Sequence, residues 1–312
     1  IKENDTFKAI VEQKDCDSEQ AKVREINSGI YWFKAEKLSG LLDKLGNNNA
    51  AGEYYLTDTV AVAEKKGVYT ADSTDVVLGA NSRSQLAALN EVARKRKLAE
   101  LMDEGVDIPL SDGIIIGKDV KIGHDTVILP NTIIKGKTVI GNGWEKGPNS
   151  YIADCVIEDN VILNNVQAHE SKVDSCAKAG PFVHLRPNTH LHSGVKIGDF
   201  VEVKNSEIGI NTCIAHLTYI GDSDVGKGVN FGCGCVTANY DGIKKYRTTI
   251  GDNAFIGCNT NMIAPVTIGD NATTAAGSTI TKNVPADSLA VERGQTRIIE
   301  HWEKNSKRIK KG

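Results

Sequence analysis

The sequence predicts a mainly β protein, most of which forms a parallel β-helix of hexapeptide repeats, on the strength of three observations. An aliphatic residue returns every six positions in several long runs, glycine often follows it, and small or β-branched residues often lie four places after it. This period fits neither an α-helix, whose face repeats every ~3.6 residues, nor an amphipathic strand, which repeats every ~2 residues. It fits short strands joined by tight turns, with the aliphatic side chain inside a prism.

The periodic positions extend from Ile116 to Ile280. An alternative is a series of ordinary sheet strands and turns, but that arrangement does not explain runs of five or six matches at one spacing. The inward-facing positions are Ile116, Ile122, Ile128, Ile134, Ile140, Val173, Ala179, Leu185, Leu191, Ile197, Val203, Ile208, Ile214, Ile220, Ile250, Ile256, Met262, Ile268, Thr274 and Ile280. With about 18 residues in each three-sided coil, the region would form roughly nine coils.

The rest of the chain divides into three parts. Residues 1–81 are expected to be the later part of an α/β domain, with apolar strand segments at 7–11 and 29–33 and helices at 36–45 and 57–66. We predict a linker helix at residues 82–113, before the β-helix at 114–284. Residues 285–312 are predicted to form a C-terminal tail, which from residue 298 is basic and either helical or frayed. At Lys146 a charged residue falls on an inward position, so a local bulge is expected.

Composition limits the classes of partner. The net charge of -3 gives no indication of a nucleic-acid or anionic-membrane partner, and no apolar run is long enough for membrane insertion. The seven cysteines lack paired Cys-x-x-Cys spacing, which argues against a disulfide framework or a zinc site. A reducing cytoplasm is therefore the expected setting.

Two cations are predicted to lie one above the other on the outer surface. Lys204 follows Arg186 by 18 residues, which is one coil. Like charges about one strand spacing apart are costly unless an anion lies between them, and phosphate is the natural candidate. The alternative is a pair of solvated surface cations.

His216 is the candidate base. It lies two places after the inward-facing Ile214, near a corner or on the outer face, and Glu202 could orient its imidazole from the adjoining coil. A structural role is the alternative for any single histidine. His184, His190 and His192 occupy dissimilar hexad positions, which argues against their sharing one zinc ion. We expect Cys233 and Cys235 to be small buried residues that pack in the interior, rather than to supply a catalytic thiol.

Motifs along nearly the whole chain resemble the bifunctional bacterial family of N-acetylglucosamine-1-phosphate uridylyltransferases and glucosamine-1-phosphate acetyltransferases. In the first part they are EINSGI at 25–30 and GEYYLTD at 52–58. In the repeats they are GPFVHLRP at 180–187, GDFVEVK at 198–204, HLTYIG at 216–221, NYDG at 239–242 and IAPV at 263–266.

This resemblance implies a left-handed parallel β-helix that forms a homotrimer with acetyltransferase sites between subunits. Arg186, Lys204 and Tyr219 would hold the phosphate of glucosamine-1-phosphate, Asn230 would approach the amine, and His216 would be the general base, oriented by Glu202. The positions expected to contact acetyl-CoA are Cys233, Asn239, Tyr240, Lys245, Cys258, Ala276 and Arg293. Cys233 and Cys258 depart from the small Ala and Ser of the family pattern.

The uridylyltransferase site implied by the resemblance is incomplete here. Glu12 and Asn27 match positions for the UDP-sugar, and Asn81 matches a position for Mg²⁺, whereas the Gly-rich nucleotide loop and the metal-binding Asp are not in this sequence. We therefore expect no uridylyltransferase activity from this chain.

Two alternatives for the β-helix are a non-catalytic oligomerisation module of a nucleotide-sugar pyrophosphorylase and a hexapeptide acyltransferase with another acceptor.

Overall fold

A computed structural model of the chain describes residues 1–3 and 6–302. The chain divides into two compact units, Ile1–Val92 and a second that begins at Ala93. Residues 303–312 of the predicted tail lie outside the described residues. In the described part of the chain, no helix combines the length and the apolar character needed to cross a bilayer.

The first unit contains short elements and almost no buried side chains. Strands β1 (Lys2–Glu3) and β2 (Thr6–Phe7) form an antiparallel pair, followed by helices α1 (Ala35–Leu42) and α2 (Asp58–Val62). Short 3-10 turns lie at Gln13–Asp15, Gln20–Lys22 and Thr74–Val77. Both predicted helices are present, the second shorter than expected.

The prediction of a strand at 29–33 is wrong. That segment pairs with no strand among the described residues of its unit, and Trp32 within it is 100% exposed. A strand needs a hydrogen-bonded partner, and an apolar sequence alone does not provide one. In this unit the only buried residues among those described are Thr57 and Thr59.

A long helix, α3, extends from Arg83 to Asp103, close to the predicted start. It ends where Gly105 adopts a left-handed conformation with φ of 92°, and the Val106 N–H donates to the Leu101 carbonyl (3.0 Å). This is the usual way in which glycine terminates a helix. The division between the two units falls within α3. It does not test the domain limits predicted from the sequence, which stay a prediction.

The β-helix is built from 29 strands of two to four residues, β3 to β31. The first nine are Ile115–Ile116, Lys121–Ile122, Val127–Ile128, Ile133–Lys135, Val139–Ile140, Glu145–Lys146, Tyr151–Ala153, Val156–Ile157 and Ile162–Leu163. Strands β12 to β22 are Val166–His169, Lys172–Val173, Lys178–Ala179, Val183–Leu185, His190–Leu191, Lys196–Asp199, Glu202–Lys204, Glu207–Ile208, Cys213–His216, Tyr219–Gly221 and Ser223–Val225. Strands β23 to β31 are Asn230–Phe231, Val236–Ala238, Thr248–Ile250, Phe255–Ile256, Asn261–Ile263, Val266–Ile268, Thr273–Thr274, Thr279–Ile280 and Leu289–Ala290.

These strands form three parallel sheets, because each strand generally pairs with the strand one coil before it and the strand one coil after it. Sheet 1 contains β3, β6, β9, β12, β15, β18, β21, β24, β27 and β30. Sheet 2 contains β4, β7, β10, β13, β16, β19, β22, β25 and β28. Sheet 3 contains β5, β8, β11, β14, β17, β20, β23, β26, β29 and β31. The predicted β-helix of hexapeptide repeats is confirmed.

The core is the inside of this prism. Every inward-facing position predicted from the six-residue period is buried, and many side chains, including those of Leu185 and Ile214, have no exposed surface. The prediction of a bulge at Lys146 is wrong, because the neighbouring Glu145 pairs in register with Val127 on one side and Ile162 on the other. Ladder hydrogen bonds on both sides hold this strand in line.

Corners of the coils are formed by residues in the left-handed region, mostly Asn or Asp. One such corner contains Asn188 (φ 61°), Asn205 (φ 48°) and Asp222 (φ 49°) in successive coils. Asn and Asp tolerate this conformation better than other non-glycine residues. One coil is longer than the others, because Val225 pairs with Ile250 and the loop at 239–247 lies between them.

Candidate active site

A cluster of cations lies where sheet 1 meets a corner of the prism. Arg186 follows β15 and Lys204 ends β18, and these strands pair with Leu185 opposite Val203. The Arg186 N–H also donates to the Val203 carbonyl at 2.8 Å. The predicted stacking of the two cations is therefore confirmed, about one strand spacing apart.

Lys245, from the loop, is the third cation of this cluster. Its side chain contacts that of Lys204 and lowers the pKa of Lys204; burial and Arg186 act in the same direction, whereas Asp222 opposes them. Because the contact with Lys245 is the largest cause of this lowered pKa, two positively charged groups are close together at Lys204. The cluster of Arg186, Lys204 and Lys245 is thus suited to an anion with several oxygens.

Glu202 binds Arg186 in this chain. Arg186 Nη1 donates to Glu202 Oε1 at 2.7 Å, and this hydrogen bond raises the pKa of Arg186. Across the strands, Glu202 pairs with His184 on one side and Tyr219 on the other. The expected contact between Glu202 and the His216 ring is not found among the described residues, because the register places Asp199 beside His216 instead.

His216 ends β20 and is exposed, as the sequence predicted. Its carbonyl accepts a hydrogen bond from Thr218 Oγ1 (2.6 Å), and the next residue, Leu217, turns the corner with φ of 33°. Within the described part of the chain, no hydrogen bond is made by the imidazole. The ring is therefore available to a substrate at the corner between sheets 3 and 1.

Asp222 is a member of the site that the sequence analysis missed. It is 5% exposed, and its carboxylate accepts hydrogen bonds from the side-chain amides of Asn205 and Asn239. Burial alone would raise the pKa of Asp222, but the two amides together with Lys204 and Lys245 lower it. The signal was present, because Asn205, Asp222 and Asn239 are spaced by 17 residues, which is one short coil.

The loop at 239–247 is held in place by its own polar groups. The Asp241 carboxylate accepts backbone hydrogen bonds from Ile243 (2.7 Å) and Lys244 (2.6 Å), and Tyr240 Oη donates to the Gly242 carbonyl (2.6 Å). Arg247 closes the loop by binding the Asp224 carboxylate and the carbonyls of Asn205 and Ser223. These contacts fix the conformation of the loop, so Tyr240 and Lys245 have defined positions beside the other two cations of the cluster.

A second group of predicted residues lies in a line along sheet 3. We call His216, Cys233, Cys258 and Ala276 the corner column, since they precede the corner of successive coils. The residues that follow the last three, Gly234, Asn259 and Gly277, donate backbone hydrogen bonds to the preceding coil at 2.9, 2.7 and 2.8 Å. All four side chains of the column are exposed.

Arg293 extends the corner column, because its Nη1 donates to the Ala276 carbonyl (3.0 Å). Asn230 is exposed on β23, where it pairs with Cys213 on one side and Phe255 on the other, and it precedes Cys233 by three residues. Cys235 differs from its neighbours Cys233 and Cys258, because burial raises the pKa of its thiol to about 11. The packing role predicted for Cys235 agrees with its burial, whereas Cys233 is exposed.

The three positions matched to the uridylyltransferase site have separate hydrogen-bond partners within the described residues. Glu12 accepts a hydrogen bond from Thr57 (3.3 Å), Asn27 contacts the Tyr31 hydroxyl, and the Asn81 N–H donates to Gln85 (2.7 Å). Mg²⁺ needs a near-octahedral set of oxygen ligands. Exposed Asn81 offers one amide oxygen, and no metal-ligating cluster of Asp, Glu, His or Cys is found beside it in the described residues. The residues present do not fit this ion.

The match to one protein family agrees with the repeat architecture. The family model described as bacterial transferase hexapeptide (six repeats) matches residues 247–282. A solved UDP-N-acetylglucosamine acyltransferase from Francisella novicida aligns with 57% of this chain and 65% of its own, at 17% identity and a TM-score of 0.33. Such a low score supports no argument about activity.

Sequence relatives are much closer. The bifunctional protein GlmU of Clostridium acetobutylicum is 48% identical over 300 residues, which is 95% of this chain and 66% of the relative. That of Desulfitobacterium hafniense strain Y51 is 45% identical over 312 residues, which is 99% of this chain and 69% of the relative. The chain thus spans about two thirds of the length of these relatives. At this identity and coverage, the chain belongs to the family of bifunctional GlmU proteins.

Proposed function

We propose that this chain transfers the acetyl group of acetyl-CoA to the amine of glucosamine-1-phosphate. The observation that carries the proposal is the cluster of Arg186, Lys204 and Lys245, in which the pKa of Lys204 is lowered by its cationic neighbours. This excess of positive charge is relieved by a phosphate. Tyr219, on the strand next to that of Lys204, is proposed to add a hydroxyl contact to the same group.

His216 is the base in this proposal. The substrate amine is an ammonium ion near neutral pH, and it must lose a proton before its lone pair can attack. His216 accepts that proton and releases it to solvent, the amine nitrogen forms a bond to the thioester carbonyl carbon, and the bond from that carbon to sulfur breaks. The nitrogen loses a second proton and the CoA thiolate takes up one, so the products are N-acetylglucosamine-1-phosphate and CoA. Binding both substrates side by side supplies much of the rate, since no enzyme-bound acyl intermediate is needed.

Acetyl-CoA is proposed to lie along the corner column from His216 toward Arg293. Three strand spacings separate His216 from Ala276, about 14 Å in all, which suits an extended pantetheine arm. The exposed backbone and small side chains of this column leave room for such an arm. Asn239, Tyr240 and Lys245 are proposed to contact the co-substrate from the loop, and Asn230 to approach the sugar near its amine.

A second copy of the chain is proposed to complete the site in a homotrimer. Phe182, Phe200 and Leu217 form an exposed apolar ridge beside His216, and they are 54, 59 and 59% exposed. The two phenyl rings stack with centroids 5.2 Å apart. An exposed apolar patch next to a polar site is typical of a protein interface, and a neighbouring subunit is the occupant implied by the family.

We place the reaction in the cytoplasm, where acetyl-CoA is available.

The test is an assay of acetyl-CoA consumption with glucosamine-1-phosphate, glucosamine and serine as alternative acceptors. The proposal predicts fast turnover only with glucosamine-1-phosphate, because both other acceptors lack the phosphate. In the Lys204→Ala variant, the KM for glucosamine-1-phosphate is expected to rise at least tenfold. Replacing Lys227, which pairs with Asp252 on the outer surface, is the matched control.

Turnover with serine or glucosamine at a comparable rate would identify a different hexapeptide acyltransferase. If acetyl-CoA is consumed with none of the acceptors, the β-helix is a non-catalytic module and the proposal is wrong.

A further inference from the structure

We propose that Asp174, His190 and His192, with Glu207 beside them, bind a divalent transition-metal ion such as Zn²⁺ on the outer face of sheet 2. The Asp174, His190 and His192 ligand atoms all lie within 4.8 Å of one another. The inference is independent of the acetyltransferase proposal, because the cationic cluster lies at sheet 1 and this site is built on sheet 2.

The register of three neighbouring strands brings these side chains together. β13 pairs with β16 so that Lys172 lies opposite His190, and Asp174, two residues further on, falls beside His192. The Asp174 N–H donates to the Leu191 carbonyl at 2.8 Å, which fixes this alignment. On the other side β19 places Glu207 opposite His190. His190 begins β16 and His192 directly follows this strand, and in extended backbone residues two apart project to the same side.

The distances between ligand atoms match a metal site. His190 Nε2 lies 2.9 Å from Asp174 Oδ1, and His192 Nδ1 lies 3.3 Å from Asp174 Oδ2. In a tetrahedral zinc site with bonds of about 2.0–2.1 Å, neighbouring ligand atoms are roughly 3.3 Å apart. Both distances lie within a few tenths of an ångström of that spacing, and the ligand atoms of His190 and His192 lie within 4.8 Å of each other.

The hydrogen-bond count also points to a cation. Glu207 Oε2 lies 2.9 Å from His190 Nδ1 and 3.1 Å from His192 Nε2, so both nitrogens of each ring face a carboxylate. A neutral imidazole carries only one N–H. Two neutral rings can satisfy two of these four contacts, and in the other two a nitrogen lone pair faces an anionic oxygen. A metal ion uses such lone pairs as ligands, whereas two charged imidazolium rings with centroids 3.9 Å apart would repel.

The donor set selects the class of metal. Two imidazoles and one or two carboxylates suit Zn²⁺, Co²⁺ or Ni²⁺, whereas Mg²⁺ and Ca²⁺ prefer oxygen ligands alone. Lys172 currently competes for Asp174, since its Nζ lies 2.8 Å from Oδ1, but this lysine is 46% exposed and can move into solvent. The Asp174 and His190 side chains are only 13 and 20% exposed, which limits their competing contacts with water. The bound ion would link strands of three successive coils.

The test uses the whole chain, dialysed against a chelator and then titrated with Co²⁺ and Zn²⁺. Co²⁺ is expected to bind at one ion per chain with the visible absorption of nitrogen and oxygen coordination, and Zn²⁺ is expected to displace it. A hundredfold excess of Zn²⁺ over its Kd should raise the unfolding midpoint by roughly 3–8 °C. His190→Ala, His192→Ala and Asp174→Asn should each weaken binding at least tenfold.

His124→Ala is the matched control, because the exposed His124 ring hydrogen-bonds to its neighbour Asp125 and, within the described part of the chain, belongs to no cluster of metal-ligating side chains. Circular dichroism shows whether each variant is folded, and Asp174→Asn preserves side-chain volume if an alanine variant fails to fold. Co²⁺ or Zn²⁺ binding that persists unchanged in folded His190→Ala and Asp174→Asn variants would overturn the proposal, as would an absorption spectrum of thiolate coordination.

Discussion

His216 is the residue on which the proposed chemistry depends. Replacing His216 with alanine removes the proton acceptor and leaves its backbone contacts intact, so turnover is expected to fall about 100- to 10,000-fold. Steady-state assays with glucosamine-1-phosphate measure this effect, and His124→Ala is a control at an exposed histidine far along the β-helix. A His216→Ala enzyme with nearly normal turnover would exclude His216 as the base.

Asp222 is the residue on which the corner beneath the cations depends. Asp222→Asn exchanges a charged acceptor of two amide hydrogen bonds for a group that cannot accept both well, so unfolding free energy at pH 7 should fall by about 1–3 kcal/mol. Because the pKa of Asp222 is lowered in the folded chain, its stabilising effect is present above the unfolded pKa of about 3.9 and is lost as the pH falls through the folded pKa.

Urea unfolding at pH 7 and pH 3.5 measures the Asp222 effect. The difference between the original chain and Asp222→Asn should begin to shrink below about pH 4. Asp287→Asn is the control, because exposed Asp287 also occupies a corner and accepts from the Asn271 amide (2.9 Å). A difference that grows as the pH falls would contradict the role assigned to Asp222.

At the scale of the strand, alternation of burial decides the effect of a substitution. Ile157 and Val156 are neighbours on β10, and they are 2 and 46% exposed. Ile157→Ala leaves a cavity in the prism and should reduce the unfolding free energy by about 2–5 kcal/mol. Val156→Ala should change it by no more than about 0.5 kcal/mol. Urea unfolding followed by circular dichroism measures both variants. Equal losses would mean that burial inside the prism does not decide the effect of a substitution on this strand.

The elements also show what sequence spacing can and cannot predict. The inward-facing positions and the stacking of Arg186 on Lys204 follow from an 18-residue coil. Glu202 precedes His216 by fourteen residues, whereas the coil is 17 residues long at this point, so His216 pairs with Asp199 rather than Glu202. From sequence spacing, His184, His190 and His192 were expected to occupy dissimilar positions and to share no metal ion. This expectation missed the convergence of His190 and His192 with Asp174, because carboxylates from adjoining coils were not considered.

At the scale of the whole chain, the two units differ in what holds them together. In the first unit only two threonines are buried among the described residues, whereas the β-helix has a continuous apolar interior. Side chains such as Asn27 and Asn81 are therefore not fixed by a core. The short apolar segments of the first part resembled strands in the sequence, but strands require partners that spacing within one segment does not reveal.

We expect no UTP-dependent turnover from this chain. The UDP-sugar positions Glu12 and Asn27 share no contact among the described residues, and Asn81 does not provide a site for Mg²⁺. Pyrophosphate release from UTP and N-acetylglucosamine-1-phosphate in the presence of Mg²⁺ is the measurement. Acetyl-CoA consumption by the same preparation is the control for folded protein. Release of pyrophosphate above the background without protein would refute the expectation.

The parallel stacking of coils along the corner column makes the geometry of the site discrete. Each coil adds one fixed increment of about 4.8 Å along the axis, so in the proposed site the span from His216 to the co-substrate head group can lengthen or shorten only by whole increments. The proposal therefore requires the segment between His216 and Ala276 to keep its number of coils, whereas coils elsewhere in the solenoid are free of this requirement. The pitch of the backbone, rather than any one side chain, sets the length of the molecule that fits.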